Sequence, residues 1–384
     1  MKEVRIGIIG TGIIANQHAE RYNSIPGVKI VAACDILEGK LNKFCDKHGI
    51  EHRYVDYRDL LKRDDLDAVD VCLHNNLHAP MTIKVLEAGF HCYCEKPMAG
   101  THADAALMFK RAQEVGKMLH IQLATLYMPQ IHCAKKIIED GNLGKIYHGR
   151  SYGYRRRGRP FVDGFGEKEF VSEYWAAGGA LYDMGVYRIS AILYLMGVPK
   201  VKSISGQIYQ ELDMNEQRRK ESGFNVEELG CGFVKFEDGA TLDILESWAI
   251  NAGEFPPSMI AGAKGGLSVD LFTTEPNDAL VYYTEMSGYP TATSIDIRAE
   301  RYRLRKVDPS IEIYDDSQTV WVAALRGKCP LPETVNIALN TMLISEGIYM
   351  SSKLGREVTY DEIVSNSKSL AITTQETPFG VLNY

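Results

Sequence analysis

The chain has 384 residues, of which 45% are hydrophobic and 24% are charged. This is the composition of an ordinary globular protein, so it excludes disordered, collagen-like and coiled-coil architectures, and the length predicts two domains. The net charge of −7 disfavours a duplex nucleic-acid partner, which usually needs a basic surface. Apolar stretches stay well below the ~20 residues that span a bilayer, and the first residues do not resemble a signal peptide. We therefore expect a cytoplasmic protein with neither a membrane nor a nucleic-acid partner.

The first 123 residues alternate between predicted strands and predicted helices. Apolar runs predict strands over residues 4–9, 28–33, 68–73, 91–94 and 118–123, with helical patterns over 13–23, 41–48, 80–88 and 103–115. Such alternation is typical of βαβ units that build a parallel sheet. We predict an α/β Rossmann dinucleotide-binding domain over residues 1–123.

Residues 124–384 follow a different pattern. Helical patterns at 129–140, 182–196 and 335–354 accompany strand-like runs at 146–154, 201–209, 229–236, 241–250, 265–271 and 279–283. Glu237-Asp238-Gly239 is a hairpin signal between two of these runs. The charged stretch 211–228 is poor in apolar residues, so we expect it to be a mobile loop. The pattern predicts an α+β domain with a large, mostly antiparallel sheet, which would bind substrate and form oligomers.

The first predicted strand leads into the sequence Gly10-Thr11-Gly12-Ile13-Ile14-Ala15. This is the G-x-G-x-x-A form of the dinucleotide motif, and it lies between a strand and a helix as the motif requires. Gly10 would allow the tight turn, Gly12 would let the backbone approach a pyrophosphate, and Ala15 would let the helix pack closely. The cofactor phosphates would then bind at the helix N-terminus.

Asp35 ends the second predicted strand, 20 residues after Ala15. Its carboxylate would accept hydrogen bonds from the hydroxyls of the adenosine ribose. The same carboxylate would repel a 2′-phosphate, and residues 36–38 contain no arginine. The pattern therefore predicts NAD as the cofactor, with NADP as the less favoured alternative.

Glu95-Lys96-Pro97 follows the strand that ends at Cys94. Ligands of open α/β sheets bind outside the carboxyl ends of the strands. A lysine at that edge can donate to a substrate hydroxyl or lower the pKa of a neighbouring group. Taken alone, such a lysine would more often be an ordinary surface residue.

The glycine motif, Asn75-Asn76-Leu77-His78 and Glu95-Lys96-Pro97 together resemble the Gfo/Idh/MocA family of sugar-active oxidoreductases. The resemblance implies that Glu95 and Lys96 lie beside the nicotinamide and that Lys96 is catalytic and contacts the substrate. It also implies that Asn75 and His78 lie near the cofactor. A structural role at the start of a helix is the alternative for His78.

Residues 178–187 resemble the family element G-G-x-L-x-D-x-G-x-H, with Tyr187 in place of its histidine. The resemblance implies that Asp183 and Tyr187 face the substrate, with Tyr187 as acid or base, as in some family members. Their spacing of four puts both on one face of a helix. All ten histidines lie between His18 and His148, so we expect no histidine base from the second domain.

The expected chemistry is a proton transfer coupled to a hydride transfer. A free tyrosine has a pKa of about 10, and a nearby ammonium such as that of Lys96 would lower it. Tyr187 would take the proton of a substrate hydroxyl while hydride passes from the same carbon to the nicotinamide. Asp183 would bind another hydroxyl of the substrate.

Two further groups of residues carry weaker signals. Arg155–Arg159 contains four arginines, and Arg157 could bind an acidic or phosphorylated substrate, although a solvated loop is the alternative. The eight cysteines form no Cys-x-x-Cys pair, so we predict no metal site. Residues 124–128 depart from the family pattern, which puts a ligand contact from that segment in doubt.

The sequence predicts an NAD-dependent oxidoreductase that acts on a secondary alcohol or ketone of a sugar, polyol or glycoside. One alternative is an enzyme that retains NAD and cleaves glycosides through transient sugar oxidation. A second alternative is a non-catalytic sensor that binds NAD. We expect a homodimer or homotetramer, because a sheet covered on one face leaves its other face to be buried. Residues 229–236 and 241–250 are the candidate interface strands.

Overall fold

The computed structural model describes residues 3–273, 275, 277–300 and 316–384. The chain forms two compact units. The first comprises Met1–Gln122, Asp316–Asn336 and Lys368–Tyr384, and the second comprises Leu123–Asp315 and Ile337–Ser367. Two late segments therefore pack with the first unit, whereas the sequence pattern assigned them to the second domain.

Six strands form the sheet of the first unit. They are β1 (Val4–Ile9), β2 (Val28–Cys34), β3 (His52–Tyr54), β4 (Ala68–Val71), β5 (His91–Cys94) and β6 (Leu119–Ile121). All neighbours are parallel, in the order β3-β2-β1-β4-β5-β6. This doubly wound order confirms the predicted Rossmann fold, in which dinucleotides bind where the strand order reverses, between β1 and β4.

The helices that alternate with these strands are α1 (Ile13–Ser24), α2 (Glu38–His48), α3 (Tyr57–Leu60), α4 (Asn75–Glu87) and α5 (His102–Val115). Helix α4 begins five residues before the predicted start, so Pro80 lies inside it. Proline has no N–H to give to the carbonyl four residues earlier, which belongs to Asn76. The N–H of Ile372 donates to that carbonyl instead (2.9 Å), so the helix continues through the proline.

Nine strands form the sheet of the second unit. They are β7 (Ile146–Tyr154), β8 (Val201–Tyr209), β9 (Leu229–Phe236), β10 (Thr241–Ser247), β11 (Ser258–Gly262), β12 (Gly266–Val269), β13 (Leu280–Met286), β14 (Tyr289–Ser294) and β15 (Val358–Thr359). Their order is β14-β13-β12-β11-β7-β10-β9-β8-β15. Only the pair β7–β10 is parallel among these described strands, which confirms the predicted, mostly antiparallel sheet.

Regular helices and helical turns of the second unit come from the segments around this sheet. They are α6 (Pro129–Glu139), α7 (Glu173–Ala176), α8 (Val186–Met196) and α9 (Glu216–Ser222), with 3-10 turns at Ala124–Tyr127 and Lys168–Val171 and a π-helical turn at Leu181–Gly185. The last part of the chain contributes α10 (Ser317–Leu325), α11 (Thr334–Leu354), α12 (Tyr360–Asn366) and the hairpin of β16 (Thr374–Thr377) and β17 (Gly380–Asn383). Over the described part of the chain, no helix has both the length and the apolar composition to cross a membrane.

One face of the nine-stranded sheet packs against α8 and α11. A Cβ atom on Gly149 would lie 2.7 Å from the sulfur of Met196, and one on Gly232 would lie 2.6 Å from a side-chain carbon of Ile348. Both glycines therefore let a helix lie close to the sheet. The strand register puts Phe233 on the opposite face, where its side chain is 40% exposed.

The stretch 211–228 is ordered by buried acidic side chains, so the expectation of a mobile loop is wrong. It contains α9, and Glu227 and Glu228 are both buried. The carboxylate of Glu228 accepts hydrogen bonds from the backbone N–H of Leu212 (2.7 Å) and from Arg159 (2.9 Å). Acidic side chains of this charged stretch can be buried because residues distant in the sequence, such as Arg159, pair with them.

Candidate active site

The turn between β1 and α1 carries the two glycines of the dinucleotide motif. Gly10 has a φ angle of +90°, and a Cβ atom there would lie 2.3 Å from the carbonyl oxygen of Cys72, so only glycine fits. Gly12 is the N-cap of α1, and a Cβ atom there would meet no atom within 4 Å. The start of α1 therefore borders open space, which a pyrophosphate at a helix N-terminus requires. These residues fit NAD.

Asp35 follows β2 and lies against the same turn. Its Oδ2 accepts hydrogen bonds from the backbone N–H (2.9 Å) and the hydroxyl (2.8 Å) of Thr11, and its Oδ1 accepts one from the N–H of Leu37 (2.9 Å). A carboxylate oxygen accepts about two hydrogen bonds, so Oδ1 retains capacity for a ribose hydroxyl. In the first turn of α1, Ile13 is 65% exposed and Ile14 is half-buried.

The Glu95-Lys96-Pro97 turn lies at the carboxyl ends of β4 and β5. The N–H of Glu95 donates to the carbonyl of Val71 (3.1 Å), which anchors the turn to β4. The buried Glu95 carboxylate accepts the N–H of Lys96 (2.9 Å), and the Lys96 side chain is half-buried. Gly10 follows β1 at this same edge of the sheet, so the first unit brings together the glycine turn and the lysine turn.

His78 connects two backbone segments of the first unit. Asn75 is the first residue of α4 and His78 lies in its first turn. The buried ring of His78 has Nδ1 2.7 Å from the carbonyl oxygen of Pro97 and Nε2 2.9 Å from that of Leu73. Burial lowers the pKa of His78. Both ring nitrogens contact backbone carbonyls, one of them in the Glu95-Lys96-Pro97 turn. His78 would therefore influence a cofactor indirectly, by holding this turn in place.

A buried polar cluster beneath this turn was not predicted from the sequence. The imidazole of His18 lies between two carboxylates, with Nδ1 2.9 Å from Asp70 and Nε2 2.8 Å from Glu95. The sulfur of Cys72 lies 3.4 Å from Nδ1. The side chains of His18, Asp70 and Cys72 could also ligate a metal ion. The Nδ1–Asp70 contact is a hydrogen bond, and the Nε2–Glu95 contact has the length of an ion pair.

A sequence signal for this cluster does exist. Asp70 interrupts an otherwise apolar strand. His18 shares the buried face of α1 with Ala15, Ala19 and Tyr22. A carboxylate and a histidine at core positions of adjacent elements predict a buried pair, because an unpartnered charge is too costly to bury.

In the second unit, a buried acid holds the glycine turn before α8. A Cβ atom on Gly179 would lie 1.9 Å from the carbonyl oxygen of Glu227, so the backbones approach too closely for a side chain. The Glu227 carboxylate accepts the N–H groups of Gly179 (2.7 Å) and Leu181 (2.9 Å) and the hydroxyl of Tyr349. Burial raises the pKa of Glu227 to about 6.

Asp183 and Tyr187 follow from this turn, and both are half-buried. The indole N–H of the buried Trp248 donates to Asp183 (3.0 Å), which orients that carboxylate. The ring of Tyr187 packs edge-to-face on Phe272 with 6.5 Å between centroids. The hydroxyl of Thr125 donates to the backbone carbonyl of Tyr187 (2.9 Å). Asp183 lies in a π-helical turn, a feature frequent at functional sites, rather than in the regular helix that the sequence predicted.

Arg188, next to Tyr187, forms a buried ion pair that the sequence did not reveal. Its guanidinium donates to Glu246 (3.0 Å) and lies 4.7 Å from the ring centre of Phe272. A Cβ atom on Gly153 would lie 2.1 Å from the same guanidinium, so glycine provides its space. Burial raises the pKa of Glu246 to about 7, although Arg188 opposes this shift.

A cavity of about 140 Å³ adjoins Arg188 within the second unit. Aromatic and polar side chains line it, among them Tyr152, Tyr154, Phe255 and Asp270.

The arginines of the run 155–159 have separate environments. Arg159 is 1% exposed and is paired with Asp163 (3.0 Å) and Glu228 (2.9 Å), which makes it structural. Arg157 is exposed and donates to Asn251 (2.9 Å). Because Arg159 is buried in ion pairs, the prediction that an arginine of this run contacts the substrate applies only to Arg157.

The second unit does contain histidines, so the reason given for expecting no histidine base from it is wrong. His132 and His148 both belong to the second unit. Nδ1 of His148 lies 2.9 Å from the hydroxyl of Thr241. Burial lowers the pKa of His132. The error arose because the predicted boundary at 123 already left two histidines on the second side.

The fold and these residues define the class of two-unit, nicotinamide-dependent oxidoreductases. The model of the GFO/IDH/MocA oxidoreductase family, NAD-binding Rossmann fold, matches residues 4–123, and the model of the GFO/IDH/MocA C-terminal domain matches residues 131–268. The chain belongs to this family and is an NAD-dependent oxidoreductase.

Individual relatives agree with this assignment. The chain is 30% identical to D-glucoside 3-dehydrogenase of Escherichia coli K12, over 65% of this chain and 72% of that protein. It is 36% identical to inositol 2-dehydrogenase of Salmonella typhimurium LT2, over 39% of this chain and 46% of that protein. An oxidoreductase domain protein from Kribbella flavida has the same fold, with a TM-score of 0.76 and 22% identity over 94% of this chain and all of that chain.

Proposed function

We propose that the protein transfers hydride between NAD and a secondary alcohol or ketone of a sugar, polyol or glycoside. Relatives that act on a glucoside and on inositol support this substrate class. The observation that carries the proposal is Asp183, oriented by Trp248 one helical turn from Tyr187. An oriented carboxylate and a phenol on one element suit a polyol, because one can bind a hydroxyl and the other can exchange its proton.

The proposed roles divide between the two units. When bound, NAD supplies the nicotinamide ring that accepts a hydride from the carbon bearing the hydroxyl. Gly10, Gly12 and Asp35 would hold its phosphates and ribose. Tyr187 would take the hydroxyl proton during oxidation and return it during reduction, and Lys96 would favour the phenolate form of Tyr187.

A spectroscopic screen tests this function. The purified protein is mixed with NAD, and separately with NADP, and the absorbance of the reduced nicotinamide is followed with glycosides, inositols, free sugars and linear polyols. We expect reduction of NAD with at least one of these classes and a clear preference over NADP. NAD binding without hydride transfer to any of them would contradict the proposal and favour the sensor.

The glycoside-cleaving alternative has one specific observation in its favour. The relative from Escherichia coli is named for oxidation at position 3 of glucosides. A ketone at carbon 3 acidifies the hydrogen on carbon 2, which allows elimination of the group on carbon 1. Release of the aglycone without net accumulation of NADH would identify this reaction, whereas NADH accumulating with an intact glycoside would exclude it.

A homo-oligomer and a cytoplasmic location belong to the same proposal. The face of the nine-stranded sheet opposite α8 carries Tyr209, Phe233 and Tyr283, which are 42%, 40% and 48% exposed. Aromatic side chains across a broad sheet face favour association with a second copy. None of the eight cysteines, all within the described residues, forms a disulfide, which suits a reducing compartment. Light scattering that gives a monomer would contradict the oligomer.

A further inference from the structure

The geometry around His18 determines its protonation state. Both ring nitrogens face carboxylate oxygens, at 2.9 Å in Asp70 and 2.8 Å in Glu95, and the three side chains are 2%, 0% and 6% exposed. Nδ1 is hydrogen-bonded to Asp70, and Nε2 lies within ion-pair distance of Glu95. An ionised carboxylate cannot donate a proton, and an unprotonated nitrogen would direct its lone pair at a negative charge, so this geometry favours a proton on each nitrogen. Burial is the largest single effect and alone would lower the pKa of His18, but the neighbouring polar groups, Asp70 foremost, together outweigh it and hold the pKa well above its usual value.

The other titratable groups around His18 are neutral. The thiol of Cys72 lies 3.4 Å from Nδ1, and the ring of Tyr93 meets the imidazole edge-on with 5.6 Å between centroids. Tyr22, on the same helix, packs against Tyr93. Burial raises the pKa of all three groups. The cluster therefore contains one cation and two anions.

His120 lies in the same unit and is as deeply buried as His18, but its ring is neutral. Its nitrogens lie 3.1 Å from the hydroxyl of Ser317 and 3.3 Å from that of Thr334. Hydroxyl groups can donate as well as accept, so a neutral ring satisfies both contacts. Burial lowers the pKa of His120 to about 3. Between these two equally buried histidines, the negative charge of the partners decides which ring is protonated.

The charge on His18 reaches the lysine turn through Glu95. One oxygen of Glu95 contacts His18, and the other accepts the backbone N–H of Lys96 (2.9 Å). The imidazolium holds the pKa of the buried Glu95 below its usual value, against the effect of burial. His18 also belongs to α1, which starts at the phosphate-binding turn. The imidazolium of His18 therefore connects helix α1 to Glu95, the residue that precedes the proposed catalytic lysine.

We infer that His18 is a positioning residue, a permanently protonated imidazolium that keeps Glu95 ionised and thereby holds the Lys96 backbone in its working position. The role of Lys96 in this inference rests on the proposed function. The protonation state of His18 does not, and it is tested separately.

The first experiment measures protonation in the protein without substrate. In ¹⁵N-histidine-labelled protein, NMR should report both nitrogens of His18 as protonated from about pH 6 to pH 8, where an ordinary histidine titrates. His120 should appear neutral throughout that range, which provides the internal control. A titrating or neutral His18 overturns the inference, as does a stoichiometric metal ion in the purified protein.

The second experiment compares His18→Gln with His120→Gln as a matched control for the loss of a buried histidine. In His18→Gln, Glu95 loses its cation, so the acid limb of the pH–rate profile should move up by about one unit and kcat should fall at least about tenfold. KM for NAD should change less than kcat. In His120→Gln the profile should keep its shape. Equal profiles in both variants overturn the positioning role.

A double variant separates charge from packing. His18→Gln/Asp70→Asn removes one anion together with the cation, which restores the net charge of the cluster. We expect it to recover part of the kcat that His18→Gln loses. A double variant that is no more active than His18→Gln contradicts the charge argument. If the protein has no dehydrogenase activity on any substrate, the proposed function fails while the NMR result for His18 still stands or falls by itself.

Discussion

The two units bury acidic side chains under opposite electrostatic conditions. In the first unit, Glu95 lies against the imidazolium of His18, and this cation holds its pKa below the usual value despite burial. In the second unit, burial outweighs Arg188 and raises the pKa of Glu246 to about 7, while Glu227 rises to about 6. The cofactor unit therefore has fixed charges at neutral pH, whereas the second unit has carboxyl groups that titrate there.

This difference indicates which residues should control the pH dependence of catalytic activity. Asp183 adds to the rise in the pKa of Glu246, so the charge of Glu246 acts on a residue predicted to contact substrate. Arg188, the partner of Glu246, adjoins Tyr187 in α8. We expect loss of the Lys96 side chain to lower activity at every pH and loss of the Tyr187 hydroxyl to alter the pH dependence of activity.

The largest effect is expected from Lys96→Met. The variant removes a fixed positive charge from the catalytic turn, so kcat should fall by about 10²–10⁴-fold at every pH. Binding of NADH, followed by its fluorescence, should persist because the glycine turn is intact. Lys84→Met, at a half-exposed lysine of α4, is the control and should keep its activity. A normal kcat in Lys96→Met would contradict the catalytic assignment.

Tyr187→Phe tests the second unit in the same way. Loss of the proton acceptor should lower kcat by about 10²-fold and flatten the rise of activity with pH. The control is Tyr194→Phe, which removes a hydroxyl two turns later in the same helix. If Tyr187 and Lys96 serve one reaction, the double variant should lose less than the product of the two single losses. An unchanged pH profile in Tyr187→Phe would place the proton acceptor elsewhere.

Glu246→Gln is expected to change stability rather than catalysis directly. The folded pKa of Glu246 is raised from 4.5 to about 7, so the native state binds its proton more tightly than the unfolded state. The contribution of Glu246 to the free energy of unfolding is therefore complete below pH 4.5. It is lost as the pH rises to about 7, by about 3 kcal/mol in total. Denaturant unfolding of Glu246→Gln across this range should show a smaller decline. The same slope in both proteins would mean that another group causes the decline.

The smallest effect is expected from Arg157→Gln. The side chain is exposed, with Nη2 donating to Asn251 and Nη1 donating to the carbonyl of Arg156. The free energy of unfolding should therefore change by about 0.5 kcal/mol or less. With a neutral sugar, KM should stay within about threefold of the original. A much larger rise in KM for an acidic sugar alone would assign Arg157 to a substrate carboxylate or phosphate and add a fixed charge to the second unit.

Local patterns predicted most of the first unit. Apolar runs and helical patterns, together with the glycine motif, predicted its fold because the information lies within about thirty residues. Helix α4 was shortened in the prediction because Pro80 alone suggests a helix boundary. Its partner for the freed carbonyl, Ile372, is distant in the sequence and left no local signal.

The buried charges escaped prediction for the same reason. His18 contacts residues 52 and 77 positions away, and Arg159 contacts Glu228 at 69 positions. Composition counts such residues as surface charges, which is why 211–228 resembled a loop. The reactive motifs were predictable, since a turn or one helix contains each of them. The groups that set their charge come from other elements, and only the fold brings them together.

The packing of the last segment has a consequence for synthesis on the ribosome. Residues 3–122 emerge first, yet the carbonyl of Asn76 receives its hydrogen bond from Ile372, and the carboxylate of Asp104 receives one from the N–H of Leu370. The hydroxyl of Tyr57 likewise donates to the carbonyl of Asn383. Residues 3–122 of the cofactor-binding unit are therefore translated before the second unit, but they gain these hydrogen bonds only after residues 370–383 have been made.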